Sequence, residues 1–479
     1  MHLRLNTLLV IPTYNEAKNV KNLTKELFLL NEQFDILFVD DSSPDGTADV
    51  IRQLQSESNR IHLLLRPQKN GIGGALLAGI LWAYDHGYSL CATMDADFTH
   101  SPVDLGRLFQ NRGSNDIMIA SRFKSPGSLP GWSLWRRFLT HLGNFATGFF
   151  MGLPFDSTGS LRVFNISRIP RRMFELPTER GYAFIFEVLL YLHVNGFQVG
   201  EIPVILPARM TGSSKMSARE IFRSVNTILR LGLVRIFLPS RLRVLPLEVN
   251  SSLEDSGEWD AYWNVSTTYA EVLFAILAGF YRRWLIRPAF QRSVRRHFQP
   301  GTRLLHAGCG SGEVDASLIQ DFDIMALDYS RRALEIYLAN NGQLRNVVQA
   351  SIVNLPFEDE SFDGVFNLGV MEHFSEDVIA KIFREFHRVL RPGGKILIWW
   401  PPEFGFSVLL FKGLGRIKRL LLRDTSKSLI PDEISRVKSK EWLVKLVNEG
   451  SFHLEEYSFG AQDAFTQVLV VARKLPSNA

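Results

Sequence analysis

Cysteine is nearly absent: Cys91 and Cys309 are the only two in 479 residues. Two thiols this far apart give no disulfide framework and no four-ligand metal site, and they fit a reducing compartment. Long apolar runs are missing as well. The longest uncharged stretch, Phe138 to Phe155, is interrupted by His141, Asn144, three glycines and Pro154, and Val272 to Tyr281 spans only ten residues. A spanning helix needs about 20 consistently apolar residues, so none is expected. Met1-His2-Leu3-Arg4-Leu5-Asn6 runs straight into a strand-like segment without a small-residue cleavage site, so no export signal is expected either. Nor does one sign of charge dominate, since 54 Lys and Arg against 49 Asp and Glu leave +5. That balance does not argue for nucleic acid by bulk charge, and no nucleic-acid partner is expected.

The composition is otherwise that of a globular chain, with 46% hydrophobic and 22% charged residues, which excludes wholesale disorder. The length suggests about three domains or two generous ones. Strand and helix patterns alternate from the start: strands over Thr7–Pro12, Phe34–Asp40, Ile61–Leu65 and Leu90–Asp95, helices over Lys18–Leu30, Thr47–Ser56 and Gly74–His86. Continuous apolar strands between helices predict a parallel sheet covered on both faces. A polar stretch around Pro246–Asp260 reads as a linker, and a second strand–helix series opens at Thr302–Ala307. The expected fold class is α/β, with two unlike Rossmann-like domains. Residues 1–240 form the first, 241–262 the linker, and 263–479 the second, with a helical lead-in over 263–298.

The central signal of the first half is Asp95-Ala96-Asp97, expected at the end of a strand. Side chains two apart in an extended chain project to one side. That side lies outside the carboxyl edge of the sheet, where such folds bind ligands. Two hard oxygen ligands there suit Mg²⁺ or Mn²⁺ holding a diphosphate; a solvated strand end is the other reading of an isolated Asp-x-Asp. Pro12-Thr13-Tyr14-Asn15-Glu16 follows the first strand and Asp40-Asp41-Ser42-Ser43-Pro44-Asp45-Gly46-Thr47 the second, so polar groups converge on one crevice.

With these three motifs in this order, the chain resembles family 2 glycosyltransferases of the GT-A fold. The resemblance implies that Pro12, Tyr14, Glu16 and Asp41 hold the nucleotide and that Asp95 and Asp97 hold the metal. Within the family, residues 5–238 look like the dolichyl- or polyprenyl-phosphate mannosyltransferase branch. Ala120-Ser121-Arg122-Phe123, Asp156 through Arg162, Glu201-Ile202-Pro203-Val204, and Arg209 through Met216 carry that likeness. A phosphate acceptor needs forked guanidinium and hydroxyl donors. Arg122, Arg162, Arg209, Ser214 and Lys215 are the candidates for the acceptor and donor phosphates, with surface ion pairing as the alternative for each. Thr99 stands where the branch usually has glutamine, and Thr158-Gly159-Ser160-Leu161-Arg162 where it has TSGFR. The donor is expected to be GDP-mannose or UDP-glucose, and the acceptor dolichyl or polyprenyl phosphate. A phosphate monoester is already largely dianionic at neutral pH, so no protein base is required. Single displacement predicts inversion at the sugar carbon.

A prenyl acceptor calls for peripheral membrane contact, expected at the cytoplasmic inner face. Ile221, Phe222, Val225, Ile228, Leu229 and Ile236 recur at helical spacing among arginines, and Trp135-Arg136-Arg137-Phe138 through Phe150 is similar in kind. Such a helix either lies in the lipid interface or faces a core.

In the second half, His306-Ala307-Gly308-Cys309-Gly310-Ser311-Gly312 joins a strand to a helix and Asp328 ends the next strand. Glycines admit close backbone approach, and the carboxylate can accept from ribose hydroxyls. Together with Leu355-Pro356-Phe357, Gly369 through Phe374 and Leu390 through Lys395, this resembles class I S-adenosylmethionine-dependent methyltransferases of the type 11 group over residues 295–475. The resemblance implies S-adenosyl-L-methionine as cofactor, with Gly308, Gly310 and Gly312 at its methionine end, Asp328 on the ribose and Tyr329 and Ile352 flanking the adenine. Ser351 stands where an acid is usual and offers the adenine a weaker hydrogen bond; a binding module without catalysis is the alternative for this half. His373 is the candidate base for a hydroxyl acceptor, and Cys309 reads as loop packing. Arginine clusters at Arg282–Arg296 and Lys412–Arg423, mixed with apolar residues, suit a membrane-facing surface, a solvated face or an RNA contact, although no RNA-recognition signature is present.

Overall fold

The computed structural model describes residues 6–30, 33–207, 217–244, 257–264, 268–342, 346–405, 433–460 and 465–475. Its contacts divide the chain into two compact units, Met1–Ile236 and Phe237–Ala479.

The first unit alternates strand and helix as β1 (Thr7–Thr13), α1 (Ala17–Phe28), β2 (Asp35–Asp40), α2 (Thr47–Glu57), β3 (Ile61–Leu65), α3 (Gly71–Asp85), β4 (Leu90–Thr93), α4 (Pro102–Gln110) and β5 (Ile117–Ser121). It continues through α5 (Leu134–Ala146), β6 (Arg162–Phe164), α6 (Arg172–Glu175), α7 (Ala183–Val194), β7 (Val199–Pro203) and α8 (Ala218–Phe237). The sheet order is β3-β2-β1-β4-β6-β5-β7. All its neighbours run parallel except β6, which is antiparallel to β4 and β5. Central strands are buried on both faces, so Leu8, Leu9, Val10 and Ile11 are all fully enclosed. From Ala183 to Leu192 α7 is apolar apart from Glu187 and is buried, the pattern of a helix enclosed by the fold, with Glu187 accepting from Thr178 and Glu179. Close helix–strand approach fixes one glycine: a Cβ on Gly79 of α3 would lie 2.3 Å from Val10.

The second unit opens with three helices, α9 (Gly257–Trp263), α10 (Tyr269–Tyr281) and α11 (Arg287–His297), the last two joined by a π-turn over Arg282–Ile286. Then come β8 (Arg303–Ala307), β9 (Asp323–Asp328), α12 (Arg331–Asn341), β10 (Val347–Gln349), β11 (Phe362–Leu368), α13 (Glu376–Val389) and β12 (Leu390–Trp400). α14 (Lys440–Glu449), β13 (Phe452–Ser458) and β14 (Val468–Lys474) complete it. The sheet order is β10-β9-β8-β11-β12-β14-β13, with β14 antiparallel to both neighbours. Its core packs Phe362, Phe383, Phe386, Trp400 and Phe452 around the sheet.

Two sequence expectations change. The strand expected to reach Asp95 stops at Thr93, so the Asp-x-Asp pair sits on a loop just beyond the sheet rather than on an extended strand. The stretch 241–262 is partly built into the second unit instead of passing free. The buried guanidinium of Arg332 donates to the carbonyls of Arg241 and Arg243, and Asp260 accepts from Ser330 Oγ and Arg332 N. Polar composition suggested a linker because it does not reveal that these carbonyls meet a buried arginine.

Candidate functional site

In the first unit the parallel strands bring three loops to one edge. After β1, Tyr14 lies under Lys69, whose Nζ is 3.8 Å from the ring centroid. Glu16 accepts from Asn19 Nδ2 at 2.7 Å and donates its own N–H to Thr47 Oγ1. After β2, Asp40 and Asp41 part company. Asp40 is committed to the fold, accepting from Thr13 Oγ1, Ser43 N and Ser43 Oγ. Asp41 meets Arg66 at 3.0 Å and accepts from Asn70 N. Burial pushes its carboxyl up and Arg66 works against that rise. Lys69, Arg66 and Asn70 all follow β3. Sequence reading passed over this loop, although its place after the third parallel strand was the available signal.

Beyond β4, Asp95 Oδ2 accepts from Ser160 Oγ at 2.7 Å, and Asp97 Oδ1 accepts from Thr99 N at 3.0 Å and from Thr99 Oγ1. Between them and Thr99, Phe98 sits at φ +59°, a left-handed conformation that a bulky residue adopts at a cost of roughly 1–2 kcal/mol. Because β4 ends at Thr93, both carboxylates belong to the loop past the strand end. Two carboxylates with a substrate diphosphate form the donor set that suits Mg²⁺, which keeps waters in its remaining positions. No cluster of three or more protein ligands occurs among the described residues.

The cations behave differently from one another. Arg122 donates Nε and Nη2 to Asp156 at 2.8 and 2.6 Å, and Nη2 also reaches Thr158 Oγ1. Burial alone would raise the Asp156 carboxyl, but Arg122 and the N–H groups around it hold it below the usual range. Arg162 is buried, giving Nη1 to the Ile185 carbonyl and Nη2 to the Ser157 carbonyl, each at 2.6 Å. Burial lowers its pKa to about 10. Two of its donors thus go to carbonyls the sequence could not pair with it, while its buried Nε has no hydrogen-bond partner. Beside this pair His100 is buried with no partner on Nδ1, and burial, helped by Arg122, depresses it to about 4. Arg209, Ser214 and Lys215 lie outside the described residues.

In the second unit, Gly308, Gly310 and Gly312 all take positive φ. Asp328 is half-buried and bridges the loops: Oδ2 accepts from Gly310 N and Oδ1 from Ser330 N, both at 2.8 Å. Burial raises its pKa, and those two N–H groups oppose the rise. A Cβ on Gly310 would meet the Trp263 ring at 2.9 Å, and one on Gly308 would meet Val370 at 2.6 Å. The Tyr329 carbonyl accepts from Gln349 Nε2; Ser351 Oγ accepts from Val353 N; Ile352 is buried. The Asn367 side chain donates to the Ala307 carbonyl while its buried Oδ1 has no donor. An unmet acceptor at the root of the glycine loop suits a ligand that brings N–H groups, as the methionine end of the cofactor does.

Cys309 is buried and its thiol is pushed well above the ordinary value, in keeping with loop packing. His373 stacks edge-on with Trp259 at 5.1 Å. Its neighbour Glu372 was missed: buried, with Oε2 unpartnered, it is raised to about 8 by burial, with Glu433 adding to the effect and Arg436 opposing it. Only burial distinguishes it, and sequence does not print burial. The basic run Lys412–Arg423 lies outside the described residues.

Comparison with known proteins agrees with this division. Residues 8–169 match the glycosyl transferase family 2, and residues 305–398 match the methyltransferase domain family. Polyprenol monophosphomannose synthase of Mycolicibacterium smegmatis is 33% identical over 231 residues, covering 47% of this chain and 87% of that protein. Undecaprenyl-phosphate mannosyltransferase of Micrococcus luteus is 31% identical over 230 residues, covering 48% of this chain and 95% of that protein. A solved SAM-dependent methyltransferase from Methanosarcina mazei is similar at 16% identity and a TM-score of 0.31, covering 39% of this chain and 98% of that chain.

Proposed function

The chain belongs to glycosyl transferase family 2, with a methyltransferase domain behind it, and we propose that the first unit transfers a hexose from a nucleotide sugar to a polyprenyl phosphate. Mannose is the sugar that the relatives' names favour, and GDP-mannose is the donor in this proposal. The observation that carries the reading is the convergence of Tyr14, Asp41 and the Asp95/Asp97 pair at one sheet edge, with Arg122 held by Asp156.

Each group then has a task. Tyr14 and Asp41 hold the nucleoside, steadied from the β3 loop by Lys69 and Arg66. Asp95 and Asp97 hold a divalent cation, which supplies neutralising charge for the departing diphosphate. Arg122, held on one edge by Asp156, is the cation assigned here to the acceptor phosphate, through Nη1. Two anions must meet, so fixed cations and fixed geometry do most of the work. The acceptor phosphate is its own nucleophile, and displacement inverts the sugar carbon. Arg209, Ser214 and Lys215 complete the phosphate cradle in this proposal.

Lipid access follows from α5 and its continuation. No side chain of α5 is buried, and Leu134, Trp135, Phe138, Leu142, Phe145 and Phe149 are exposed beside Arg136 and Arg137. That pattern supports a peripheral helix at an anionic leaflet, the cytoplasmic one. No helix of the described residues is long and apolar enough to cross a membrane.

For the second unit we propose S-adenosylmethionine-dependent methylation of a lipid-linked acceptor. Gly308, Gly310 and Gly312 take the methionine end, Asp328 the ribose, and Tyr329, Ser351 and Ile352 the adenine. Glu372 and His373 stand on the turn after β11 as candidate proton acceptors. A panel of labelled nucleotide sugars with polyprenyl phosphate tests the first activity. A chloroform-soluble, singly charged sugar phospholipid supports it, and label found only on water-soluble glycan refutes it.

A further inference from the structure

We infer that the second unit carries its own lipid-contacting surface, formed by α10 and the π-turn that follows, and that its partner is an anionic bilayer. Thr268 and Glu271 close a capping box at the start of α10, so the helix begins firmly. One face is committed: Val272, Ala275, Ile276 and Ala278 are buried. On the other, Leu273, Leu277, Phe280 and Trp284 are 52%, 54%, 49% and 73% exposed. They recur at spacings of four, three and four residues, a continuous stripe rather than scattered surface residues.

The arginines around this helix divide into two groups. Arg282 pairs with Glu313, Arg295 with Asp321 and Arg296 with Glu456, all acids of the same unit. Arg283, Arg287 and Arg292 pair with no acid among the described residues. Arg283 and Arg287 bracket Trp284, so unanswered positive charge borders the apolar stripe where the exposed indole stands. An indole and guanidinium stems at the rim of an apolar face suit the headgroup region, with the charges on lipid phosphates and the stripe in the acyl boundary. The stripe's spacing would also serve a seam with a second copy. Such a seam would place like-charged arginines along its own edge, with no acid paired to them among the described residues, whereas an anionic leaflet answers all three.

The choice of lipid rests on the lipid-linked acceptor proposed above, and the test separates the two. Both native cysteines are buried, so an environment-sensitive thiol dye can be placed in the full chain at Leu277→Cys, or separately at Phe149→Cys in the first unit. The probe is a vesicle of phosphatidylcholine with phosphatidylglycerol, with or without a doxyl-quencher lipid. The expected result is a blue shift and doxyl quenching at position 277. The double change Arg283→Glu and Arg287→Glu should weaken that response by at least roughly tenfold while the dye at 149 still responds. A silent dye at 277 with a responding dye at 149 overturns the inference and leaves the lipid-acceptor reading standing. Silence at both overturns both. Lipid-independent, concentration-dependent change at 277 also overturns it and assigns the stripe to a second copy.

Discussion

Asp156 takes Arg122 edge-on, accepting Nε at 2.8 Å and Nη2 at 2.6 Å, and no bond to the protein occupies Nη1 among the described residues. In the proposed role the pair presents a cation to the acceptor phosphate, and its two halves should fail differently. Arg122→Lys keeps the charge but loses the fork. It should cost roughly a hundredfold in kcat/KM for polyprenyl phosphate with little change in folding. Asp156→Asn leaves a buried guanidinium unanswered and should cost about 3–5 kcal/mol of stability as well as activity. Urea unfolding alongside steady-state kinetics checks both. Because Asp156 titrates below its unfolded value, its contribution is present above the unfolded pKa and is lost as pH falls through the folded one.

His100 predicts an acid limb of its own. Its folded pKa of about 4 lies below the ordinary 6.5, so the unfolded chain takes up the proton first as pH drops. Stability should be unaffected above the unfolded value and fall by on the order of 3 kcal/mol between the two pKa values. His100→Gln should flatten that part of the stability curve, measured by urea midpoints across the same range.

Glu372 predicts the opposite slope. Its folded pKa of about 8 is raised from 4.5, so the folded state keeps a proton that the unfolded state releases. The second unit should lose stability as pH climbs from the unfolded value to the folded one. Glu372→Gln should raise its melting temperature at pH near 8 and leave it unchanged at pH near 4.5. Differential scanning calorimetry gives the answer. A wild-type protein whose second transition does not move with pH would remove Glu372 as a buried, neutral acid.

The glycine loop gives a binding prediction. Gly310 stands at φ +50° with the Trp263 ring 2.9 Å from any added Cβ, so Gly310→Ala must shift backbone or indole. Calorimetry with S-adenosylhomocysteine should show at least roughly tenfold weaker binding for Gly310→Ala and for Asp328→Ala. Ser351 Oγ already accepts from Val353 N, so Ser351→Asp should tighten binding by offering the adenine a charged acceptor. No binding by the native chain would make this unit a binding module without cofactor.

Much of this was legible in the chain itself, and the reasons for what was not are physical. Apolar strands followed by short polar motifs located β1, β2, β4, β8 and β9 and the loops that follow them, because strand period and loop composition are local properties. The register of partners is not local. Arg122 and Arg162 look equivalent in sequence, yet one faces Asp156 and the other two carbonyls. Lys69 and Arg66 escaped notice because their worth depends on Tyr14 and Asp41, 55 and 25 positions away in a chain read linearly. Polar residues near 260 suggested a linker, since the buried arginine that binds their neighbours lies in α12.

Metal-dependent sugar transfer to the lipid is the centre of the account, and one assay decides it. Full-length protein stripped with chelator is given nucleotide sugar and polyprenyl phosphate, then Mg²⁺ or Mn²⁺ is restored, with Asp95→Asn and Asp97→Asn in parallel. The account predicts lipid-linked sugar only after metal is restored, and at least roughly hundredfold less from either variant. Undiminished product from the stripped enzyme, or from either aspartate variant, would contradict it.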